Sequence, residues 1–339
     1  MDINKIYNED CLLTMNRMEN DCIDLTVTSP PYDDLRTYNG YSFDFEKIAK
    51  ELYRVTKPGG MIVWVVGDSI KDGSESLTSF KQAIYFKEQC GFNIHDTMIY
   101  QKAGPRFPEK IRYAQIFEYM FVLSKGKPST TNIIMDRPNK WAGWTNWGNN
   151  AHRVKTGEMK AVKDAKRYKK FGSRFNSWPP LEVLDEEDIL YYISTGMKYD
   201  ARLNVSVYAN GFGFGTKDKS AYKHAAIFPE QLVEDHIISW SNRKDIVYDP
   251  FMGSGTTAKV SILLDRNYIG SEISTEYANG AISRIQDVEN SRGILMDEFE
   301  TAAKNRLDEE NTFQSDVKEK VNDITRKDKW QPDAPNKSM

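Results

Sequence analysis

The sequence predicts an α/β fold, a Rossmann-like domain with a mainly parallel sheet. Buried β-type apolar runs alternate with segments of helical periodicity over residues 1–125, and the alternation returns after residue 226. A strand, a helix and a second strand that follow each other at this spacing in the sequence are typical of βαβ units, which build parallel sheets. The 339 residues, 40% hydrophobic and 28% charged, suffice for one large domain or two modest ones and exclude a fibrous or disordered protein.

The first part of the chain contains the clearest elements. Asp24–Thr28 is an apolar run typical of a buried strand, and it ends at the turn-forming Ser29-Pro30-Pro31. Phe45–Val55 has apolar residues at helical spacing, and we expect Pro58-Gly59-Gly60 to stop this helix. Met61–Val66 reads as a second buried strand. Three further elements follow on the same grounds: a helix around Ser79–Gln89 and strands near Asp96–Tyr100 and Tyr119–Leu123.

The middle of the chain has a different composition. Between Lys125 and Trp178 there are thirteen Lys and Arg residues against three acids, although the whole chain carries a net charge of −3. Tryptophans and other aromatic residues lie among these basic residues. Because Lys and Arg hold phosphates and flat aromatic rings stack on nucleobases, the segment fits a nucleic-acid surface. Taken alone, it fits a solvated insertion with a small core of its own equally well.

Regular structure is predicted again toward the end of the chain. The expected elements are a helix within Ala226–Trp240 that starts after Pro229, a strand at Asp245–Asp249, a helix at Thr256–Leu264 and a strand at Asn267–Ile273. Beyond Arg292 the residues are charged and few are large and apolar. This composition predicts an exposed helix and a frayed tail rather than a further domain.

Composition also limits the setting of the protein. No apolar run approaches the ~20 residues that a membrane helix needs, and the opening residues lack the basic and apolar regions of a signal sequence. Cys11, Cys22 and Cys90 are too few and too widely spaced to predict a disulfide framework or a metal site. We therefore expect a cytoplasmic protein without a bound metal.

A glycine-rich turn is predicted between a strand and a helix at Asp249–Thr257, with the sequence DPFMGSGTT. Two glycines one residue apart let a ligand approach the backbone, and the following helix presents its N-terminus there. The turn lacks the third glycine of a dinucleotide fingerprint and the Gly-Lys-Ser/Thr ending of a P-loop. Glu272 ends the next strand, where an acid commonly accepts hydrogen bonds from ribose hydroxyls. A ribose without a pyrophosphate indicates S-adenosylmethionine (SAM).

A second motif, Ser29-Pro30-Pro31-Tyr32, follows the predicted strand that ends at Thr28. Consecutive prolines make a stiff loop that is rich in acceptors, because each proline lacks an N–H. The Ser29 hydroxyl and the Pro30 carbonyl are placed to accept the two N–H bonds of an exocyclic amine and to aim its lone pair at a methyl donor. The Tyr32 ring offers a face for a base taken out of the duplex.

Both motifs resemble those of the amino-group DNA methyltransferases, which carry (D/N/S)PPY, here Ser29-Pro30-Pro31-Tyr32, and FxGxG, here Phe251–Gly255. The catalytic motif precedes the basic segment and the glycine motif follows it. This circularly permuted order resembles that of the β group of the family, whose target-recognition region lies between the two. The resemblance implies a catalytic half at residues 1–125, a recognition region at 126–222, a SAM-binding half at 223–291 and a charged tail at 292–339.

The resemblance also implies roles for individual residues. Asp10-Cys11 matches the family segment near the SAM adenine, although Glu9 stands where the family usually has Gly. His224 matches a segment that closes over the methionine part of SAM, although Ala225 stands where Pro is frequent. The implied catalytic residues are Ser29, Pro30, Pro31 and Tyr32. The implied cofactor-binding residues are Asp10, Cys11, Thr28, His224, Asp249, Phe251, Gly253, Ser254, Gly255, Thr256 and Glu272.

The resemblance implies methylation of double-stranded DNA. Ser at the first position of the catalytic motif resembles the motif of the N4-cytosine members, so cytosine N4 is the expected methyl acceptor. Adenine N6 is the alternative acceptor. We expect a monomer or homodimer, either paired with a restriction endonuclease of the same site or acting as a phage or orphan enzyme. An inactive DNA-binding module and an RNA or protein methyltransferase are the competing classes. The residues predicted to contact DNA are Lys102, Arg106, Arg153, Lys155, Lys166, Arg167, Lys169, Lys170 and Arg174.

Overall fold

A computed structural model describes most of the catalytic and cofactor segments. The described residues are 1–31, 43–103, 112–113, 115–134, 137–138, 151–153, 156, 158–161, 199–200, 202–209, 215–216, 218 and 228–290. Met1–Ile134 and Leu203–Met296 form one compact unit, and Met135–Arg202 with Asp297–Met339 form a second. Our domain limits at 125/126 and 222/223 remain a prediction. The tail predicted from Arg292 lies outside the described residues.

Strands and helices alternate through the first unit. Its strands are β1 (Lys5–Tyr7), β2 (Ile23–Thr28), β3 (Thr56–Val66), β4 (Ile70–Lys71), β5 (Ser74–Glu75), β6 (Asn93–Lys102) and β7 (Phe117–Ser124), and later β12 (Val205–Tyr208), β13 (Ile246–Asp249) and β14 (Asn267–Ser271). Its helices are α1 (Cys11–Asn16), α2 (Phe45–Val55), α3 (Thr78–Tyr85), α4 (Glu230–Trp240), α5 (Thr256–Leu263) and α6 (residues 275–290). In the second unit lie β8 (Arg137–Pro138), β9 (Ala151–Arg153), β10 (Met159–Ala161) and β11 (Tyr199–Asp200).

Eight of the described strands form one sheet in the order β1-β14-β13-β2-β3-β7-β6-β12. All neighbours are parallel except β3 with β7 and β7 with β6. The predicted mainly parallel sheet is therefore confirmed, and the reversed β7 is a feature that the sequence prediction lacked. Shorter antiparallel pairs are formed by β4 with β5, β8 with β11, and β9 with β10.

Helices cover both faces of this sheet. On one face, the α2 side chains Ile48 and Leu52 pack with Trp64 of β3 and Phe86 in a buried cluster. On the other face, Leu232 and other apolar residues of α4 pack against β2 and β3 in a second cluster. Strands buried on both faces read as continuous apolar runs, which is why β2 and β3 are recognisable in the sequence.

The predicted bounds of α2 are confirmed, but the predicted stop signal and the predicted start of the next strand at Met61 are wrong. The helix α2 ends at Val55, where Thr56 is already extended and its hydroxyl donates to the Leu52 carbonyl at 2.6 Å. Pro58-Gly59-Gly60 does not stop the helix but lies inside β3. A side chain at Gly59 would meet Ser129 Cβ at 2.9 Å, so this glycine allows a neighbouring segment to approach the strand. The helix predicted around Ser79–Gln89 is present as α3, which continues into a single π-helical turn, Phe86–Cys90.

None of the helices in the described ranges is both long and apolar enough to cross a membrane.

Candidate active site

The carboxyl ends of four adjacent parallel strands, β1, β14, β13 and β2, carry the sequence motifs. Parallel strands end at the same edge of a sheet, and ligands of open α/β sheets bind there. Thr28, the last residue of β2, donates a hydrogen bond from its hydroxyl to Oδ1 of Asp249, the last residue of β13, at 2.6 Å. The proline loop and the glycine turn therefore start side by side.

The glycine turn depends on left-handed backbone at two positions. Gly253 has φ 52° and Gly255 has φ 80°, a region that costs other residues free energy. A Cβ at Gly255 would lie 3.0 Å from Ala281 Cβ of α6, so the turn also packs closely against this helix. Gly255 immediately precedes α5, whose first backbone N–H groups point toward the same edge.

Glu272 follows β14 and holds the glycine turn with its side chain. Its Oε2 accepts from the Gly253 N–H at 2.8 Å, and its Oε1 accepts from the Ser274 N–H at 2.9 Å. The residue is 8% exposed. Burial raises the pKa of Glu272, these two backbone hydrogen bonds lower it, and the nearby Asp249 carboxylate raises it further. Each carboxylate oxygen keeps a lone pair, so the acid can still accept from a ligand hydroxyl.

Asp249 is buried more deeply, with 3% exposure. Its Oδ1 accepts from Thr28 and from the Phe251 N–H at 3.0 Å, and its Oδ2 accepts from the Thr257 hydroxyl at 2.7 Å. Burial raises the pKa of Asp249, and the hydrogen bonds from Thr28, Thr257 and the Phe251 backbone oppose that rise.

Asp10 and Cys11 lie after β1 at the same edge. The Asp10 carboxylate caps α1 by accepting from the Leu12 N–H at 2.7 Å. Cys11 is buried, and burial raises its pKa to about 12, with a further contribution from the Asp10 carboxylate and a smaller one from Glu272. The Asn8 side chain donates to the Glu272 backbone carbonyl at 2.9 Å, which ties this segment to the ribose-binding candidate.

The proline loop is described as far as Pro31. Ser29 and Pro31 are half-buried and Pro30 is buried. Tyr32 and His224 lie outside the described residues, so their predicted roles are not located. Phe251 is half-buried, and its ring meets Phe43 edge to face with centroids 5.6 Å apart, which places aromatic side chains between the glycine turn and the start of α2.

Arg284 of α6 is a site residue that the sequence analysis missed. Its guanidinium donates to the Ser254 carbonyl at 2.9 Å and to the Thr256 hydroxyl at 3.1 Å, so it fixes the outer side of the glycine turn. A helical pattern gives no sign of this contact, because Arg284 lies 30 residues from Ser254 in the sequence.

The other side of Arg284 belongs to an ionic cluster, which we define as Asp218, Glu230, Lys259 and Arg284. Its two cations are buried and its two acids are half-buried. Arg284 bonds Asp218 at 2.8 Å and Glu230 at 2.6 Å, and Lys259 bonds the same two acids at 2.8 and 2.9 Å. Burial acts to raise the pKa of Asp218, but the hydrogen bonds from Lys259 and Arg284 prevail and lower it. The cluster anchors residues 218 and 230 to α5 and α6.

Few of the predicted DNA-binding residues can be located. Lys102 ends β6, and its ammonium group pairs with Glu118 at 2.5 Å, both side chains being largely buried. This pairing leaves Lys102 less able to hold a phosphate than the sequence suggested. Arg153 ends strand β9. The others lie outside the described residues: Arg106, Lys155, Lys166, Arg167, Lys169, Lys170 and Arg174.

Comparison with known proteins identifies the family of this fold and site. The DNA methylase family of N6 and N4 methyltransferases matches residues 23–283. The chain belongs to this family. Its resemblance to the amino-group DNA methyltransferases is thereby confirmed, as are its SAM-dependent methyltransferase fold and its activity class, DNA methylation with SAM as the methyl donor.

Individual relatives agree with the family match. The orphan methyltransferase M.BamHII of Bacillus amyloliquefaciens is 53% identical over 268 residues, which cover 79% of this chain and 90% of that protein. The type II methyltransferase M.BglII of Bacillus subtilis is 26% identical, covering 82% of this chain and 67% of that protein. The PvuII DNA methyltransferase (cytosine-N4-specific) has a similar fold, with a TM-score of 0.53 and 18% identity over 85% of this chain and 91% of that one.

Proposed function

We propose that this enzyme transfers the methyl group of SAM to the exocyclic amine of a base flipped out of double-stranded DNA, with cytosine N4 as the favoured acceptor. The observation that carries the proposal is the contact between the two motifs. Thr28 precedes the acceptor-binding loop and Asp249 precedes the glycine turn, and their side chains are 2.6 Å apart. A donor on one turn and an acceptor on the other would meet across this contact.

The residues at the edge fit the predicted cofactor. Gly253 and Gly255, both with positive φ, form a tight turn without side chains of its own at these positions, which suits close approach of a ligand. Glu272 is a buried carboxylate whose remaining lone pairs can accept from ribose hydroxyls. We assign Asp10 and Cys11, which follow β1 at the same edge, to the adenine side of the cofactor. When bound, SAM supplies an electrophilic methyl group on a sulfonium.

The proline loop supplies what the amine needs. An exocyclic amino nitrogen is a poor nucleophile, because its lone pair is conjugated into the base. If the Ser29 hydroxyl and the Pro30 carbonyl each accept one N–H, the nitrogen becomes more tetrahedral and its lone pair turns toward the donor side. These fixed dipoles also stabilise the positive charge that develops on nitrogen as the N–C bond forms and the C–S bond breaks, with a neutral thioether as the leaving group. The nitrogen then releases one proton to water. Tyr32 is assigned to stacking against the flipped base.

Ser29 is the reason to favour cytosine N4. Ser at this position resembles the N4-cytosine members of the family, whereas Asp or Asn is more usual in the N6-adenine members. A hydroxyl and a carboxylate both accept an N–H, so adenine N6 is the alternative. Since M.BamHII is named an orphan methyltransferase, we further propose that this relative of it acts without a cognate restriction endonuclease.

The product nucleoside tests the reaction and the base together. Purified enzyme would be incubated with methyl-labelled SAM and, in separate reactions, with DNA, RNA or protein from a methylation-free host. The DNA would then be digested to nucleosides for mass spectrometry. We expect N4-methyldeoxycytidine, and none from Ser29→Ala. N6-methyldeoxyadenosine would overturn the base assignment, and label in RNA or protein but not in DNA would overturn the proposed substrate.

The basic segment is proposed to hold the DNA backbone. Replacing Lys155, Lys166, Arg167, Lys169 and Lys170 by Gln should weaken DNA binding and reduce the slope of log affinity against log salt by about 0.9 for each phosphate that is no longer neutralised. Fluorescence anisotropy at several salt concentrations measures that slope. An unchanged slope would exclude these residues from the DNA surface.

A further inference from the structure

The Asp249 carboxylate lies between the two halves of the site, and protein groups already occupy most of its acceptor positions. It accepts the Thr28 hydroxyl, the Phe251 N–H and the Thr257 hydroxyl, at 2.6, 3.0 and 2.7 Å. A carboxylate has about four lone-pair sites, so three are filled. With 3% exposure, Asp249 has little surface left to offer a ligand.

The three side chains form a bridge, which we call the Thr28–Asp249–Thr257 bridge. Thr28 adjoins Ser29 in the acceptor loop, and Asp249 begins the DPF segment of the glycine turn. Thr257 lies in the first turn of α5, and its hydroxyl is also 3.4 Å from the Val27 carbonyl of β2. The bridge therefore links both loops to a buried carboxylate directly beneath them.

We propose that Thr28, Asp249 and Thr257 are positioning residues that set the separation between the methyl donor and the acceptor amine, rather than ligands of the cofactor. This inference rests on the proposed function. It replaces the cofactor-binding roles that the resemblance implied for Thr28 and Asp249. Hydrogen bonds to an ionised group are the stronger kind, and two of the three here are short.

Methyl transfer is sensitive to such a separation. A misplacement of about 1 Å in a reacting pair costs about 100-fold in rate, because the attacking and leaving groups fall out of alignment. Cofactor affinity depends instead on Glu272 and the glycine backbone, and base capture on the proline loop. Loosening the bridge should therefore slow the chemical step while both substrates still bind.

The chain offers a matched control two residues away on the same strand. Thr26 is buried like Thr28, but its hydroxyl has no hydrogen-bond partner among the residues that the structure describes. Thr28→Val and Thr26→Val make the same isosteric change, and only the first removes a bond to Asp249. Thr28→Ser keeps the hydroxyl, and Thr257→Val breaks the bridge from its other end.

The experiment measures single-turnover methyl transfer, S-adenosylhomocysteine affinity by calorimetry, and hydrogen exchange of peptides that cover residues 27–31 and 249–257. For Thr28→Val we expect a 10- to 100-fold slower methyl transfer, affinity within about twofold of wild type, and faster exchange in both peptides. Thr257→Val should behave alike. Thr28→Ser should recover most of the rate, and Thr26→Val should change none of the three measurements.

Two results would overturn the inference. One is a Thr28→Val enzyme that loses S-adenosylhomocysteine affinity and recovers its rate at saturating SAM, as a cofactor ligand would. The other is a wild-type rate with unchanged exchange. If Thr28→Val does not fold, Thr257→Val and Thr28→Ser decide by the same criteria. A wild-type enzyme that methylates no DNA would contradict the proposed function instead. In that case the hydrogen exchange and the S-adenosylhomocysteine affinity of the variants would still test the bridge.

Discussion

The glycine turn and the proline loop end neighbouring strands of one sheet, yet they are held in different ways. Side chains from two later segments support the turn, because Glu272 accepts from Gly253 and Arg284 donates to Ser254. Asp249, at the start of the turn, accepts from Phe251. The loop is stiffened by its own two prolines and is joined to the turn through Thr28. The cofactor side thus depends on tertiary contacts, and the acceptor side depends mainly on local backbone restriction.

Loss of Arg284 should have the largest effect on this arrangement. Arg284→Met leaves Asp218 and Glu230 with Lys259 as their remaining partner in the cluster, and we expect the free energy of unfolding to fall by about 3 kcal/mol. S-adenosylhomocysteine affinity should fall about tenfold, because the Ser254 carbonyl loses its donor. Urea denaturation and calorimetry measure the two quantities.

A surface ion pair provides the control for that variant. Lys244 bonds Asp265 at 2.5 Å, but the Lys244 side chain is 71% exposed. Lys244→Met should cost less than about 1 kcal/mol and leave cofactor affinity unchanged. Equal losses in the two variants would show that the ionic cluster has no special part in holding the turn.

The pH dependence of cofactor binding should identify Glu272. The ionised carboxylate accepts hydrogen bonds from ribose hydroxyls, so affinity for S-adenosylhomocysteine should fall as the pH decreases. Because burial raises the pKa of Glu272, this fall should begin at a higher pH than for an ordinary glutamate, whose pKa is about 4.3. Below the shifted pKa each pH unit should cost about tenfold. Glu272→Gln should bind at least about tenfold more weakly at neutral pH and lose most of this dependence. The wild type and Glu272→Gln both contain the nearby Asp249. If their affinities changed in parallel with pH, the dependence would come from another group, and the role of Glu272 would be contradicted.

Two glycines near α6 should respond to alanine in opposite directions. Gly255→Ala forces a side chain into φ 80° and against Ala281, and should cost about 1–2 kcal/mol of stability and weaken S-adenosylhomocysteine binding. Gly280 lies in α6, and no atom of the described part of the chain lies within 4 Å of an added Cβ. Gly280→Ala should therefore gain up to about 1 kcal/mol through helix propensity. Thermal denaturation tests both, and a stabilised Gly255→Ala would contradict the strained turn.

The smallest effect is expected in the proline loop. Pro31→Ala should cost about 0.4–1 kcal/mol by freeing the unfolded chain, and should slow methyl transfer several-fold without changing S-adenosylhomocysteine affinity. Pro58→Ala in β3, at the opposite edge of the sheet, should lose similar stability and keep the wild-type rate. A Pro31→Ala variant with reduced cofactor affinity would mean that the loop and the turn are not supported separately.

Sequence reasoning was most successful where burial leaves a local pattern. The boundaries of α2 are as predicted, and β2 and β13 lie within one residue of their predicted starts, because amphipathic spacing and double-sided burial are visible in short windows. It missed β1, which is three residues long, and β12, which lies in an irregular stretch. It also missed the reversed direction of β7, since an apolar run does not state which way its strand points.

The site divides in the same way. The two motifs and Glu272 could be found because each stands at a strand end with distinctive neighbours. The partners that hold them could not, because the Thr28–Asp249 bond joins residues 221 positions apart and the Arg284–Asp218 bond joins residues 66 apart. A single sequence contains no signal for such pairs.

A crystal structure with S-adenosylhomocysteine would show whether donor and acceptor meet at this edge of the sheet. We expect the ribose hydroxyls to bond Glu272, the backbone of Gly253–Gly255 to lie against the ligand, and the sulfur to face the Ser29-Pro30 loop across the Thr28–Asp249 contact. A ligand bound away from this edge, or one whose sulfur points away from Ser29, would contradict the proposed methyl transfer between the two motifs.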